Sequence, residues 1–259
     1  MKEFSELVKI IRKLRSPEGC PWDREQTPES LIPFMVEEVY EVIDAIDHKN
    51  DHELSRELGD VLLHLVFQAV MAEEDGRFTI EDVLQSINHK MTSRHPHVFQ
   101  GVIFDNDEDI HNFWEQKKKS EGRKRLLDGI PHELPSLHKA YRVQSKASMV
   151  GFDWDKIHDV WKKIREEISE LESASSVGNQ QAVEMEFGDL LFSLVNVGRF
   201  LGVNADEALR KSTDKFIRRF HRVEAIADDE GKDLRAMTLD ALESLWQRVK
   251  EEEVAGSEF

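Results

Sequence analysis

At 259 residues, with 39% apolar and 34% charged side chains, the chain is long enough for two ordinary soluble domains. Its formal charge of −17 argues against general binding to nucleic acid or anionic membranes, which needs a net basic face. An anionic small molecule is still admissible, because local basic groups or a divalent cation can invert the field inside a pocket.

One cysteine, Cys20, permits neither an intrachain disulfide nor a thiolate zinc site. Met1-Lys2-Glu3-Phe4-Ser5 carries no apolar signal core, and the longest apolar stretch, Val61 to Ala72, is interrupted by His64 and Gln68 and is too short to span a bilayer. These features predict a cytoplasmic protein.

In chain order, Thr27-Pro28 predicts a helix start, with proline at the first helical position. Val39, Val42, Ile43 and Ile46 then recur at helical spacing, followed on the next helix by Leu58, Val61, Leu62 and Leu65. Thr79 before Glu81-Asp82 reads as another helix start. Arg94-His95-Pro96-His97 reads as a turn after a helix, and Val98 to Phe104 is the nearest approach to a strand. Glu108-x-x-His111 is the only such pair, so a carboxylate-bridged di-iron bundle, which needs two, is rejected. Gly122, Gly129, Pro131 and Pro135 mark a domain boundary. Beyond it Ile164, Ile168 and Leu171, then Phe187, Leu190, Leu191 and Leu194, repeat the earlier helical faces. The prediction is an all-α chain of four or five helices per half. Its two helical-bundle domains span 1–122 and 136–259, joined by a linker at 123–135.

Acidic residues make the repeat explicit. Glu37-Glu38-x-x-Glu41 is followed by Glu57-Leu58-Gly59-Asp60, and Glu166-Glu167-x-x-Glu170 by Glu186-Phe187-Gly188-Asp189, at the same separation. Positions three and four apart share a helical face, so Glu38 with Glu41, and Glu57 with Asp60, project together, as do their counterparts in the second half. In an antiparallel hairpin the four carboxylates of each half converge. Each close pair would then repel by about 4 kcal/mol at an effective dielectric of 20. A hard cation relieves that cost, and all-oxygen ligation favours Mg²⁺ or Mn²⁺. Gly59 and Gly188, each at a cost of roughly 1 kcal/mol inside a helix, predict close approach by another helix or a ligand. A single acidic cluster of this kind is usually a solvated face; two matched copies argue otherwise.

Basic residues also recur. Lys90 and Arg94 follow the first acidic hairpin, and Lys215 and Arg219 the second. Trp114 with Lys118, and Trp246 with Lys250, come after them. Lysine and arginine opposite a metal would neutralise phosphate oxygens. The tryptophans suit either stacking on a base or packing in a core.

Together these segments resemble the MazG nucleoside triphosphate pyrophosphohydrolases in their two-domain bacterial form. The resemblance runs through Gly19-Cys20-Pro21-Trp22-Asp23, both acidic signatures, Arg94-His95-Pro96-His97-Val98-Phe99 and Val150-Gly151-Phe152-Asp153-Trp154, and covers nearly the whole chain. It implies Mg²⁺-dependent hydrolysis of ordinary or aberrant nucleoside triphosphates to monophosphate and pyrophosphate, with Mn²⁺ as a substitute. By similarity, Glu167, Glu170, Glu186 and Asp189 hold metal, and Glu166, Glu167 and Glu170 form the catalytic set. Lys215 and Arg219 then meet phosphate, and Trp246 and Lys250 the nucleotide. The second half is implied as catalytic. A second site is open in the first half at Glu37, Glu38, Glu41, Glu57, Asp60, Lys90, Arg94, Trp114 and Lys118. One departure separates the halves: Asp44 in the first corresponds to Ser173 in the second. The resemblance also implies a homodimer. The competing reading is a non-catalytic helical module that senses nucleotide and metal or binds a protein partner.

Overall fold

The computed structural model describes residues 2–104, 106, 109, 110, 113, 114 and 125–256. All regular structure among the described residues is helical. The chain divides into two units, Met1–Lys118 and Lys119–Phe259.

In the first unit, α1 (Lys2–Arg15) and the short α2 (Pro21–Glu25) precede the hairpin of α3 (Ile32–Asp47) and α4 (Asp51–Glu74). The short loop between α3 and α4 makes them antiparallel neighbours. Next come α5 (Ile80–Arg94) and α6 (Pro96–Phe99). The stretch read as a possible strand is thus one helical turn followed by irregular backbone, because Pro96 sits at a helix N-terminus where its missing N–H costs nothing.

The helix expected from Thr27-Pro28 begins later, at Ile32. Thr27 and Ser30 instead exchange side-chain-to-backbone hydrogen bonds of 2.9 and 3.1 Å, an alternative turn that hydroxyl residues offer the backbone. Thr79 does cap α5, and Asp82 closes the reciprocal capping box.

A core of Val8, Ile11, Leu31, Val66, Phe67, Val70, Met71 and Ile80 joins α1 to α4. Bidentate pairs Arg12–Glu73 and Arg15–Glu74, both 2.8 Å at closest, fasten the two helices at the same end. Arg15 also donates to the carbonyls of Asp23 and Gln26, fixing the short helix α2 that carries Trp22. The link from α1 to α2 turns at Gly19, where a Cβ would lie 2.1 Å from the Leu14 carbonyl oxygen.

The second unit repeats the plan with α7 (Ser136–Ser148), the hairpin of α8 (Ile157–Val177) and α9 (Gln180–Phe200), then α10 (Ala205–Asp229) and α11 (Leu239–Gly256). A left-handed Gly178 ends α8 and Asn179 caps α9. Val160, Ile164 and Val197 pack across α8 and α9; Val223, Ile226, Leu245 and Val249 pack across α10 and α11. The segment before α7 is held by Lys146, a buried lysine whose ammonium donates to the carbonyls of Leu126 and Asp128 at 2.9 Å each. Leu126 and Asp128, within the stretch expected as a linker, are thus tied to α7 through their carbonyls. Among the described residues no helix is long and apolar enough to cross a membrane.

Candidate active site

Each unit gathers three carboxylates across its hairpin. In the first, Glu38 and Glu41 on α3 meet Glu57 on α4; in the second, Glu167 on α8 meets Glu186 and Asp189 on α9. Within each triad one oxygen per residue lies within 4.8 Å of the others. The most interior member differs in origin, Glu57 from the second helix and Glu167 from the first, but both are nearly completely buried. Asp60 and Glu170 stand just outside the triads. The Asp60 charge acts on Glu38, and the charges of Glu167 and Glu186 act on Glu170. Glu37 likewise acts on Glu38 from the flank, and Glu166 on Glu170.

The electrostatics are those of a crowded anionic cleft. Burial pushes the Glu38 carboxyl up, and Asp60, Glu41 and Glu37 add to the shift. Burial also raises Glu57, opposed by Arg56 and reinforced by Glu41 and Glu38. Lost hydration raises Glu170, with Glu167, Glu186 and Glu166 acting in the same sense against Lys163. One Glu57 oxygen, Oε2, is buried without a hydrogen-bond partner.

Two cations that spacing did not single out answer this charge. Arg56 donates to Glu53 at 2.9 Å and to Glu57, and reaches Asp60 at 3.8 Å. Lys163 places its ammonium 2.7 Å from both Glu166 and Glu167, and those bonds hold it well above the ordinary lysine value. Lys163 was legible as the partner three and four residues before two glutamates. Each cleft thus draws a positive group. Each donor set is all oxygen, which suits a hard divalent cation, and in the first cleft Glu57 Oε2 is in addition buried without a partner.

The basic and aromatic residues occupy other positions. Trp114 spends its indole N–H on the Arg94 carbonyl at 2.6 Å and packs 5.4 Å from the His95 ring, so it anchors the end of α5. Lys90 lies one turn earlier on α5. Lys118, like Glu108 and His111, lies outside the described residues. In the second unit Trp246 packs 5.0 Å from Phe216 and beneath the Arg219 guanidinium, 5.8 Å from the ring centre. Arg219 binds Glu253 at 2.7 Å, and the Lys215 charge also acts on Glu253. Lys250 is half-buried one turn beyond Trp246 on α11. Among the described residues, the hydrogen bonds of Arg219 run to Glu253 and not to the acidic triad.

Gly59 and Gly188 face no neighbouring helix of this chain. A Cβ at either would meet nothing within 4 Å, so neither is required by close approach inside the chain.

The architecture is thus an all-α chain with two helical hairpins, each converging three carboxylates that could hold a metal ion. The sequence pattern of the MazG nucleotide pyrophosphohydrolase domain matches residues 26–99 and 156–224, one match in each unit. The chain belongs to that family. It is 48% identical to the nucleoside triphosphate pyrophosphohydrolase/pyrophosphatase MazG of Thermotoga maritima, over 95% of either chain. It is 42% identical to the nucleoside triphosphate pyrophosphohydrolase of Escherichia coli, over 98% of this chain and 99% of the relative. A longer Bacillus subtilis protein of uncharacterised function, YabN, is 45% identical, and there the match covers 97% of this chain but 52% of the relative. Membership of this hydrolase family implies use of a divalent metal.

Proposed function

We propose that this protein hydrolyses nucleoside triphosphates to the monophosphate and pyrophosphate with Mg²⁺, and that the second unit carries the reaction. The supporting observation is the triad of Glu167, Glu186 and Asp189, drawn from both helices of a hairpin in a MazG-family chain. Those three residues, with Glu170 beside them, would hold the ion. When bound, Mg²⁺ supplies neutralisation of phosphate charge and polarisation at the α-phosphorus. Glu170, its carboxyl raised by lost hydration and neighbouring negative charge, is the group assigned to accept a proton from the attacking water. Lys163 holds Glu166 and Glu167 in place and becomes available to a phosphate oxygen once a metal takes up their charge. Lys215, Arg219, Trp246 and Lys250 are assigned to the nucleotide. For Arg219 that requires exchanging Glu253 for phosphate, a like-for-like swap of anionic partners.

The first unit offers a second metal cleft of the same kind at Glu38, Glu41 and Glu57. There Arg56 bonds Glu57 as Lys163 bonds Glu167 in the second unit. Assembly is proposed to be a homodimer. Leu58, Leu62 and Leu65 on α4, and Phe187, Leu191 and Leu194 on α9, are exposed beside glycines that face open space. Light scattering coupled to gel filtration would give twice the chain mass. The proposed location is the cytoplasm.

The functional test is incubation of each ribo- and deoxyribonucleoside triphosphate with Mg²⁺, followed by anion-exchange chromatography. Monophosphate and pyrophosphate in equal amounts, abolished by EDTA and by Glu167→Ala, are expected. Diphosphate with phosphate, or unconverted nucleotide, would overturn the reading. Glu38→Ala, assayed alongside, tests the first unit separately.

A further inference from the structure

Beside the acidic hairpin of the second unit lies a cleft of about 500 Å³ that the assignments above leave unused. Its lining includes Phe152 and Trp154 from the loop before α8, Phe192, Asn196 and Arg199 of α9, and Gln144 of α7. Gln144 is 93% buried, and its orientation is fixed: Nε2 donates to the Phe192 carbonyl at 2.8 Å. That leaves Oε1, a buried acceptor with no hydrogen-bond partner. A buried acceptor of this kind asks for a donor from a ligand or water. Asn196 accepts twice from Arg199, at 3.1 and 2.8 Å, so its oxygen is spent. Arg199 is itself locked to Asp153 and lies 4.8 Å over the Phe200 ring. Phe152 nevertheless remains largely open to solvent, and Trp154 about half so.

The cleft stands in a definite relation to the metal ligands. Asp189, Phe192 and Asn196 follow at three- and four-residue steps on one stripe of α9. At 1.5 Å per residue, Asn196 lies about 10 Å along the helix from Asp189. A nucleotide whose phosphates sit at the triad can extend its base that far along the same groove.

The matched positions on α4 of the first unit are of a different kind. The constant offset that superposes the acidic motifs takes Phe192, Asn196 and Arg199 onto Leu63, Phe67 and Val70. Phe67 and Val70 are buried in the core of that unit, and Leu63 packs against it. Where the first half packs apolar side chains, the second keeps polar ones around an aromatic-walled opening.

We propose that this cleft receives the nucleobase of the substrate. The base lies between Phe152, Trp154 and Phe192 and donates an N–H to Gln144 Oε1; this rests on the triphosphate hydrolysis proposed above. Aromatic faces give affinity to any base, since every base has a π-face. The single fixed acceptor makes Gln144 the discriminating residue. Since the matched α4 positions of the first unit are core residues, the base is read in the second unit.

The test compares ATP, GTP, CTP and UTP with methyl triphosphate, which has the same phosphoanhydrides and no base. In Trp154→Ala, whose side chain is exposed enough for the fold to survive, the ratio of kcat/KM for a nucleotide to that for methyl triphosphate should fall about tenfold or more, through KM. Gln144→Met should narrow the spread of kcat/KM among the four bases. Equal losses on both kinds of substrate, or an unchanged nucleotide KM in Trp154→Ala, would overturn the proposal. Saturation-transfer NMR with the four nucleosides in EDTA decides it independently of turnover. Transfer to base protons in the wild type, lost in Trp154→Ala, supports the subsite; no transfer to any nucleoside sinks it. A wild type that hydrolyses neither kind of triphosphate fails the functional reading, and the NMR result still decides the subsite.

Discussion

Replacing Glu167 by glutamine separates a metal ligand from a structural ion-pair partner, because the two roles predict opposite signs. Glu167 is buried, bonded to Lys163 at 2.7 Å and within 4.8 Å of Glu186 and Asp189. At that separation and an effective dielectric of 20, each like-charge contact costs about 3.5 kcal/mol. Exposure of Asp189 and partial exposure of Glu186 screen this to nearer 1 kcal/mol each. Glutamine keeps the shape, can still accept from Lys163 and removes both repulsions. Metal-free Glu167→Gln is therefore expected to be as stable as the wild type or about 1 kcal/mol more stable. Wild type at an Mg²⁺ concentration near 100 times Kd should gain about 2.7 kcal/mol. For a unit of this size that corresponds to roughly 10 °C in Tm. In the variant this gain should vanish, and turnover should fall at least about 10³-fold. Scanning calorimetry with and without Mg²⁺, beside a pyrophosphate-release assay, reads all three quantities. A variant that is clearly less stable in EDTA yet keeps its Mg²⁺ gain would refute the reasoning, since Glu167 would then be a salt-bridge partner and no ligand.

The other predictions follow from neighbouring contacts. Arg56→Met removes the cation bound to Glu57. The Tm of the first unit in EDTA should drop, and Mg²⁺ should restore more of it than it adds in the wild type; equal Mg²⁺ effects in both proteins would contradict a shared cleft. Thr79→Ala breaks the capping box of α5 and should cost about 1 kcal/mol in urea unfolding. Asp82 is held below its ordinary value by the backbone and side-chain bonds from Thr79, so its contribution is present above the unfolded aspartate pKa and lost as pH falls through the lower folded one. The stability gap between wild type and Thr79→Ala should accordingly shrink below about pH 4; a gap that is constant or widens in acid would exclude this linkage.

Much of the fold was open to reading in the sequence, because helical periodicity is a local property. The apolar faces that become α3, α4, α8 and α9, and the Thr79 cap, needed only spacing. The acidic positions were equally plain, since i, i+3 and i+4 fix which carboxylates share a face. What spacing did not supply was which members a hairpin brings closest. Each triad takes one residue from one helix and two from the other, leaving Asp60 and Glu170 at the edge. Nor could it show that Trp114 spends its indole N–H on a helix end, or that Gly59 and Gly188 face open space. The cleft around Gln144 was the least legible. Its lining comes from four separate segments, and its significance lies in a single unfilled acceptor that exists only once α7 packs on α9. The misplaced start at Thr27 has a simpler cause, a hydroxyl turn that mimics a cap one turn too early.

The account rests on a metal ion held between two helices that in turn holds a polyphosphate. Crystals grown with Mn²⁺ and an α,β-methylene triphosphate analogue test this directly, because manganese scatters anomalously and the analogue is not cleaved. An anomalous peak bounded by Glu167, Glu186 and Asp189, in contact with phosphate oxygens, is the predicted result. Analogue bound elsewhere, with Lys163 still bridging Glu166 and Glu167 and no peak between α8 and α9, would contradict it.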